Sequence, residues 1–215
     1  MKYLTVIFMS VIFTATSFPQ FSVRGGMGIS FVSMPSLTDY LNQNFVPSNQ
    51  QLGSFNSSVI FSGEGYMPVS KNYDIGLEVA YLINSYTYND ITGQQNDFTY
   101  NILMPSLTGY YVISGTGFNF KFGAGIGPRF VHLNRTQSGF ISEKYTVTGF
   151  GMLLSADGNT LLSGNLYANI GADLRYDFNG EPKNGGKPII NNNYGTNVNM
   201  NSFSVGLRLG VTYIF

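Results

Sequence analysis

The sequence predicts an all-β fold, an eight-stranded antiparallel up-and-down transmembrane β-barrel. Three observations carry that prediction. The stretch Phe203–Phe215 alternates apolar and small or polar residues almost without fault. Charged residues make up only 10% of the 215 residues, against roughly 25% in an ordinary soluble domain. The connections between candidate strands alternate long and short, as they do in a barrel with long loops at one rim and tight turns at the other.

In the terminal stretch Phe203, Val205, Leu207, Leu209, Val211, Tyr213 and Phe215 share one face, and Ser204, Gly206, Arg208, Gly210 and Thr212 the other; only Ile214 breaks the pattern. Period two marks a strand whose faces meet different surroundings. Such a strand is long for a soluble domain and suits a tilted crossing of a bilayer. A soluble barrel clothes its outside in charged side chains. Here the polar faces are mostly Gly, Ser, Asn and Thr, which fit a narrow interior better.

Composition excludes other classes. The chain has no Cys, so disulfide frameworks and Cys-based metal or redox sites are absent. Net charge is zero and there is no basic stripe, so nucleic acid is not an expected partner. High Gly, Phe and Tyr with few charges argue against disorder.

Met1–Ser17 reads as a secretory signal: Lys2, an apolar run from Tyr3 to Ala15, then the small residues Ala15, Thr16 and Ser17. The barrel is expected over residues 18–215. Its first strand is Phe21–Ser33, with Phe21, Val23, Met27, Ile29 and Phe31 opposite Ser22, Arg24, Gly26, Gly28 and Ser30. A long polar connection follows, with a short helix over Ser36–Phe45. The second strand, Phe55–Met67, sets Asn56, Ser58, Ser62 and Glu64 on its polar face. The third, Tyr73–Ser85, does so with Asp74, Gly76, Glu78 and Asn84. Tyr86–Asp97 reads as a loop. The fourth strand, Phe98–Ile113, alternates less cleanly, and Pro105 predicts a bulge. The fifth, Phe118–Phe130, is the clearest: Phe118, Phe120, Phe122, Ala124, Ile126 and Phe130 oppose Asn119, Lys121, Gly123, Gly125, Gly127 and Arg129. Asn134–Lys144 reads as a loop. The sixth strand, Tyr145–Ser155, has ambiguous facing, and Asp157-Gly158-Asn159 predicts a turn. The seventh, Leu162–Phe178, carries Asn165, Asn169, Asp173 and Arg175 on its polar face. A loop over Asn179–Val198 leads to the terminal strand. Aromatics recur ten residues apart, as Phe21 and Phe31 or Phe120 and Phe130. At ~3.3 Å per residue and ~45° tilt that is ~23 Å, close to the height of a lipid-facing band.

The chain ending on Phe215, with Tyr213 and Val211 before it, resembles the C-terminal strand of bacterial outer-membrane barrels. Phe21–Phe215 as a whole resembles the eight-stranded OmpA-, OmpX- and OmpW-type barrels. The resemblance lies in pattern rather than in a unique motif. It implies a place in the outer membrane, contact with outer-membrane lipid, and recognition of Val211, Tyr213 and Phe215 by the barrel-assembly machinery. It also implies a structural role, or a role in binding a surface ligand through external loops. A narrow diffusion channel for small solutes is the alternative, a lipid A-modifying enzyme a third and less favoured reading, and a soluble carrier with its apolar face inward a fourth.

The polar faces carry Arg24, Glu64, Glu78, Lys121, Arg129, Asp173, Arg175 and Arg208. A charge inside a narrow barrel must be paired or hydrated, so these are candidate lumenal ion pairs that plug the barrel. Arg24, Glu64, Lys121 and Glu78 are expected low, and Arg129, Asp173 and Arg175 higher. No cofactor is expected. Gly123, Gly125 and Gly127 fall on one strand face with no helix after them, whereas a phosphate loop needs strand, turn and helix. Asp74 with Glu78, and Asp173 with Asp177, read as structural pairs rather than metal sites. No enzyme is expected either. Eight-stranded lipid A deacylases place a Ser two residues after the active His; after His132 that position is Asn134, with Ser138 and Glu143 only nearby. Met34-Pro-Ser-Leu-Thr-Asp-Tyr40 recurs as Met104-Pro-Ser-Leu-Thr-Gly-Tyr110 without a wider repeat.

Overall fold

The computed structural model describes residues 20–47, 49, 51–89, 95–137, 141–191 and 195–215. The signal segment expected over Met1–Ser17 lies outside the described residues. Eight long strands form the wall: β1 (Ser22–Ser33), β2 (Asn56–Ser70), β3 (Tyr73–Asn89), β4 (Gln95–Gly115), β5 (Phe118–Gln137), β6 (Ile141–Ser163), β7 (Leu166–Phe178) and β8 (Ser202–Ile214). Each pairs antiparallel with its neighbours in sequence, and β1 pairs with β8, so the sheet closes on itself. Pairings followed from Ser22 through Tyr66, Gly76, Thr108, Gly125, Leu153, Arg175 and Ser204 return to Val32. Position 22 thus meets position 32, a shear of ten. With ~3.3 Å per residue and ~4.7 Å between strands, that shear requires a tilt of roughly 40°.

The wall is turned inside out relative to a soluble protein. Leu209 is 65% exposed on the outside, while Arg129 on the inside is 0% exposed. That is the arrangement a hydrocarbon solvent selects. Aromatic residues ring both edges of the apolar exterior. Near the short turns, Phe21 and Phe215 have centroids 6.1 Å apart, and Tyr73 and Tyr111 5.5 Å. At the other edge Phe31, Phe130, Phe150, Phe178 and Phe203 point outward. No helix among the described residues is long and apolar enough to cross a membrane; the strands do the crossing.

Sequence expectation and structure differ in four places. First, the loops expected over Tyr86–Asp97 and Asn134–Lys144 are largely strand, because β3–β6 run on past the upper aromatic ring. Alternation continues there with the faces exchanged: Tyr86, Phe98 and Leu133 point inward while Ser85, Thr87 and Asp97 point out. Second, Asp157-Gly158-Asn159 is not a turn. It continues β6, paired with Lys121, Phe120 and Asn119 of β5. Asp157 and Asn159 are buried inward, and their polar contacts outweigh the local turn preference. The turn comes later, at Gly164, whose φ of 54° suits glycine. This also resolves the facing of the sixth strand: Gly151, Leu153, Ser155 and Asp157 point in. Third, Pro105 makes no bulge. The register is the same at Leu103↔Phe130 and Leu107↔Ile126, with three pairings missing between. That register sets Pro105 opposite Pro128, two residues that lack an N–H to donate. Fourth, the interior is not polar throughout: Leu82, Phe98 and Ile102 point inward toward the external end.

Between β1 and β2 lies α1 (Pro35–Asn44), within a residue of the predicted helix. Pro35 fits the first turn. Leu37, Tyr40 and Leu41, at helical spacing, are buried. Met34 O accepts the N–H of Thr38, and Leu41 O accepts the N–H of Phe45, both at 2.9 Å.

Candidate functional site

The membrane-level lumen is filled by ion pairs in three groups. Nearest the short turns, Lys121 Nζ lies 2.7 Å from Asp74 Oδ2 and 3.3 Å from the centre of the Tyr66 ring. Above it is a continuous network. Arg24 pairs with Glu64 at 2.5 Å and with Asp157 at 2.7 Å. Arg208 reaches Glu78 at 2.7 Å, Asp173 at 3.0 Å and Asp157 at 3.6 Å. Arg175 holds Glu78 at 2.8 Å and Asp173 at 2.9 Å. Three guanidiniums thus face four carboxylates. Glu64 Oε1 also accepts the hydroxyls of Thr108 and Tyr110, each at 2.7 Å, which meets part of the surplus negative charge. The third group, at the level of the upper ring, is Arg129 with Asp177.

Glycines supply the room. A Cβ at Gly151 would collide with Asp177 Oδ1 and Arg129 Nε, and one at Gly171 with Asp157 Oδ1. Arg129 has a second task. Its Nη1 lies 3.0–3.3 Å from the carbonyls of Pro128, Gly127 and Pro105 and 3.1 Å from Ser106 Oγ. It therefore supplies donors to carbonyls at the gap between the facing prolines, where lipid on the other side offers none.

All eight predicted lumenal residues lie on the inner face, buried, each with an opposite charge within 4 Å. The expected levels differ in one respect: Glu78 joins Arg175 and Arg208 rather than the low group. Lys121 stays low and takes Asp74 as its partner. Asp74 and Asp177 serve different cations from Glu78 and Asp173, so neither same-face pair acts together. Asp157, which bridges Arg24 and Arg208, is the partner that a turn reading hides. The strand-long alternation Leu153, Ser155, Asp157, Asn159 is the signal that finds it.

Toward the upper ring and beyond it the interior changes character. Ile60, Leu82, Phe98, Tyr100, Ile102, Met104, Val131 and Leu133 point inward from β2–β5. Leu37, Tyr40 and Leu41 of α1 cover them, with Val46 after the helix and Ile189, Val198 and Met200 from the segment before β8. Both Met34 and Met104, which open the repeated heptapeptide, are buried in this cluster. The outer face there is polar: Ser85 Oγ bonds Thr99 Oγ1 at 3.0 Å, and Thr87 Oγ1 donates to Asp97 at 2.7 Å. Past Ile83, β3 has no β2 partner, and past Phe150 β6 has no β7 partner. A four-stranded wall therefore stands clear of the barrel, with one edge met only at Thr146↔Lys183.

His132 is exposed on the outer face, paired in register with Asn101 and Thr146; Ser138 lies outside the described residues. No group of metal-ligating side chains is found among the described residues. Val211, Tyr213 and Phe215 point outward, and Phe215 N–H donates to Phe21 O at 2.8 Å, fixing the chain end in the β1–β8 seam.

No protein-family model matches the sequence, and no curated protein does. Solved structures match. One is Ail, the attachment invasion locus protein of Yersinia pestis, in complex with the heparin analogue sucrose octasulfate. It is 12% identical, with a TM-score of 0.51 over 92% of this chain and 99% of that one. Another is a major outer membrane protein from Thermus thermophilus, also 12% identical, with a TM-score of 0.50 over 91% and 99%. At this identity the likeness is one of fold.

Proposed function

We propose that this chain, which has the fold of the bacterial outer-membrane eight-stranded barrels and a lipid-facing exterior, works in that membrane as a closed barrel presenting a rigid external surface. The carrying observation is the double seal. Ion pairs fill the lumen at membrane level, and an apolar core covers it above. A channel for small solutes needs a continuous wet path, and the apolar core stands across one. The wall of β3–β6, polar outside and open along most of its two edges, is the surface offered to a partner; free strand edges are a common docking element. The external charges of this chain do not suit a sulfated ligand such as the one bound to Ail. Arg135, Lys144, Lys183 and Lys187 on the external part are matched by Asp39, Asp97, Glu143 and Glu181, which leaves no basic field for sulfate.

Two measurements test the reading. In planar bilayers the purified protein gives no steady conductance; large stable steps overturn the seal. On the surface of a non-adherent strain, the protein promotes cell–cell or cell–surface adherence. A variant with Tyr86–Phe98 replaced by a short turn folds but loses it, and equal adherence of the two removes the wall from the mechanism. As a non-enzyme, the protein leaves lipid A acylation unchanged in that strain; loss of an acyl chain that His132→Ala abolishes overturns this part.

A further inference from the structure

Three cavities lie side by side on the outside of the barrel over β5–β8 and the start of α1, each sharing lining residues with the next. The uppermost, about 390 Å³, opens at the upper aromatic ring between the start of α1 and the segment before β8. Its polar lining is Ser33, Ser36, Asp39, Asn199, Asn201 and Ser202, and its aromatic lining Tyr176 and Phe203. The same two rings bound a second cavity of about 350 Å³, which descends the lipid face over Ala124 toward Met152, Leu154 and Leu174. Leu154 and Leu174 are shared in turn with a third, of about 310 Å³, over Ala156 and Ala172 toward Val205 and Leu207. One polar pocket at head-group height thus leads into two apolar grooves. Small alanines line the grooves, and Leu154 and Leu174 stand between them.

We propose that this surface binds one two-chain lipid with an uncharged sugar head group. The grooves take the chains, and the pocket takes the head. The pocket's chemistry selects the head. No Lys or Arg lines it, and Asp39 does; a phosphate there meets a like charge and no cation, which disfavours it. Sugar hydroxyls donate to Asp39, and a sugar face rests on the rings of Tyr176 and Phe203, as amphipathic aromatics allow. The polar groups are fixed in advance. Ser36 Oγ accepts the Asn199 N–H at 3.0 Å, Asn199 Oδ1 accepts the Asn201 N–H at 3.2 Å, and Asn201 Oδ1 accepts the Gly180 N–H at 2.9 Å. Those bonds use the amide oxygens and leave the amide NH₂ groups to donate to a ligand. Pre-organisation of this kind lowers the entropic cost of binding.

The test is native mass spectrometry of the full chain, refolded in micelles. The probes are equal amounts of a monogalactosyl diacylglycerol, a phosphatidylglycerol and a phosphatidylethanolamine. The galactolipid is retained one to one, about tenfold over the others, the worth of one charge-assisted hydrogen bond. Asp39→Leu, on the exposed side of α1, removes that preference, and Asp39→Lys turns it toward phosphatidylglycerol. Ala172→Phe, a change on the lipid face that the barrel interior does not feel, blocks one groove. It lowers galactolipid retention and spares a single-chain galactoside. Equal retention of the three lipids, a preference for either phospholipid, or retention indifferent to Asp39→Leu and Ala172→Phe overturns the proposal.

Discussion

Below the upper aromatic ring this molecule keeps its charges inside and its apolar side chains outside; above the ring the same strands do the reverse. β4 shows both regimes. Leu107 is exposed to lipid and Thr108 faces the lumen, whereas ten residues earlier Asp97 is outside and Phe98 is buried within. Strand geometry is the same in the two regimes, and only the surroundings change. The exchange therefore locates the water boundary on the wall, and it makes two cores of different physics in one closed sheet. In the lower core, energy depends on each charge keeping its partners, since an orphaned ion in a dry lumen costs far more than a lost contact. In the upper core, energy scales with apolar area and packing, as in a soluble domain.

The sharpest way to break this comparison is to remove Arg208, which touches Glu78, Asp173 and Asp157. Arg208→Met leaves two guanidiniums among four buried carboxylates. A loss of about 3–5 kcal/mol is expected, read as a lowered denaturant midpoint for unfolding from vesicles. Adding Glu78→Gln returns part of it. If the single variant unfolds like the wild type, the lower core is hydrated rather than dry. In the upper core Leu41, at 0% exposure, is the matching target. Leu41→Ala costs about 3 kcal/mol, but locally: hydrogen exchange rises in α1 and in the β3–β6 extensions while the barrel midpoint stays put. A shared fall in both would mean that the cap and barrel are one cooperative unit.

How much of this is legible in the sequence follows from the same division. The outer face and the strand count are legible, because lipid imposes one rule on every lipid-facing position. Arg24, Lys121, Arg129 and Arg175 are legible as lumenal for the complementary reason: on a lipid-crossing strand a charge has nowhere else to go. Their pairing is not. Which carboxylate meets Arg208 depends on a shear of ten and on side chains reaching across the lumen, neither of which is written locally. The upper core is the larger omission. Ile60, Ala80 and Leu82 interrupt the polar alternation of two strands, and Phe98, Ile102 and Met104 do so on a third. Singly each looks like noise, and only the closed sheet puts them side by side under α1. Asp157 and Pro105 show local signals overruled, the first by its ion pairs and the second by a register that its neighbours hold.

Arg129 sits on the border of the two regimes and offers an intermediate effect. It serves Asp177 and the carbonyls beside the facing prolines together. Lys keeps the charge but lacks the planar fork. Arg129→Lys is therefore expected to cost about 1–3 kcal/mol, with faster amide exchange confined to the β4–β5 seam around Met104 and Phe130. An even spread of the loss around the barrel would show that the seam is no weaker than its neighbours.

The smallest effect separates the two cores by pH alone. Tyr40 on α1 is buried, with its ring edge-on to Phe45 at 5.5 Å and Phe98 at 6.4 Å between centroids. Burial pushes its hydroxyl above the ordinary value, with Arg135 opposing and Glu143 reinforcing the shift. A released Tyr40 ionises near the usual ~10, while the packed one resists. The packed state thus has its full advantage below about pH 10 and loses it as pH climbs toward the higher folded value. Amide exchange in α1 is expected to be flat to about pH 9.5, once corrected for the intrinsic rate, and to accelerate above about pH 10. Tyr40→Phe removes this residue's share of the rise, and the other tyrosines of the cap cancel in the comparison. An identical rise in the two proteins would mean that Tyr40 already meets water in the folded cap, and the dry core above the membrane would then end short of α1.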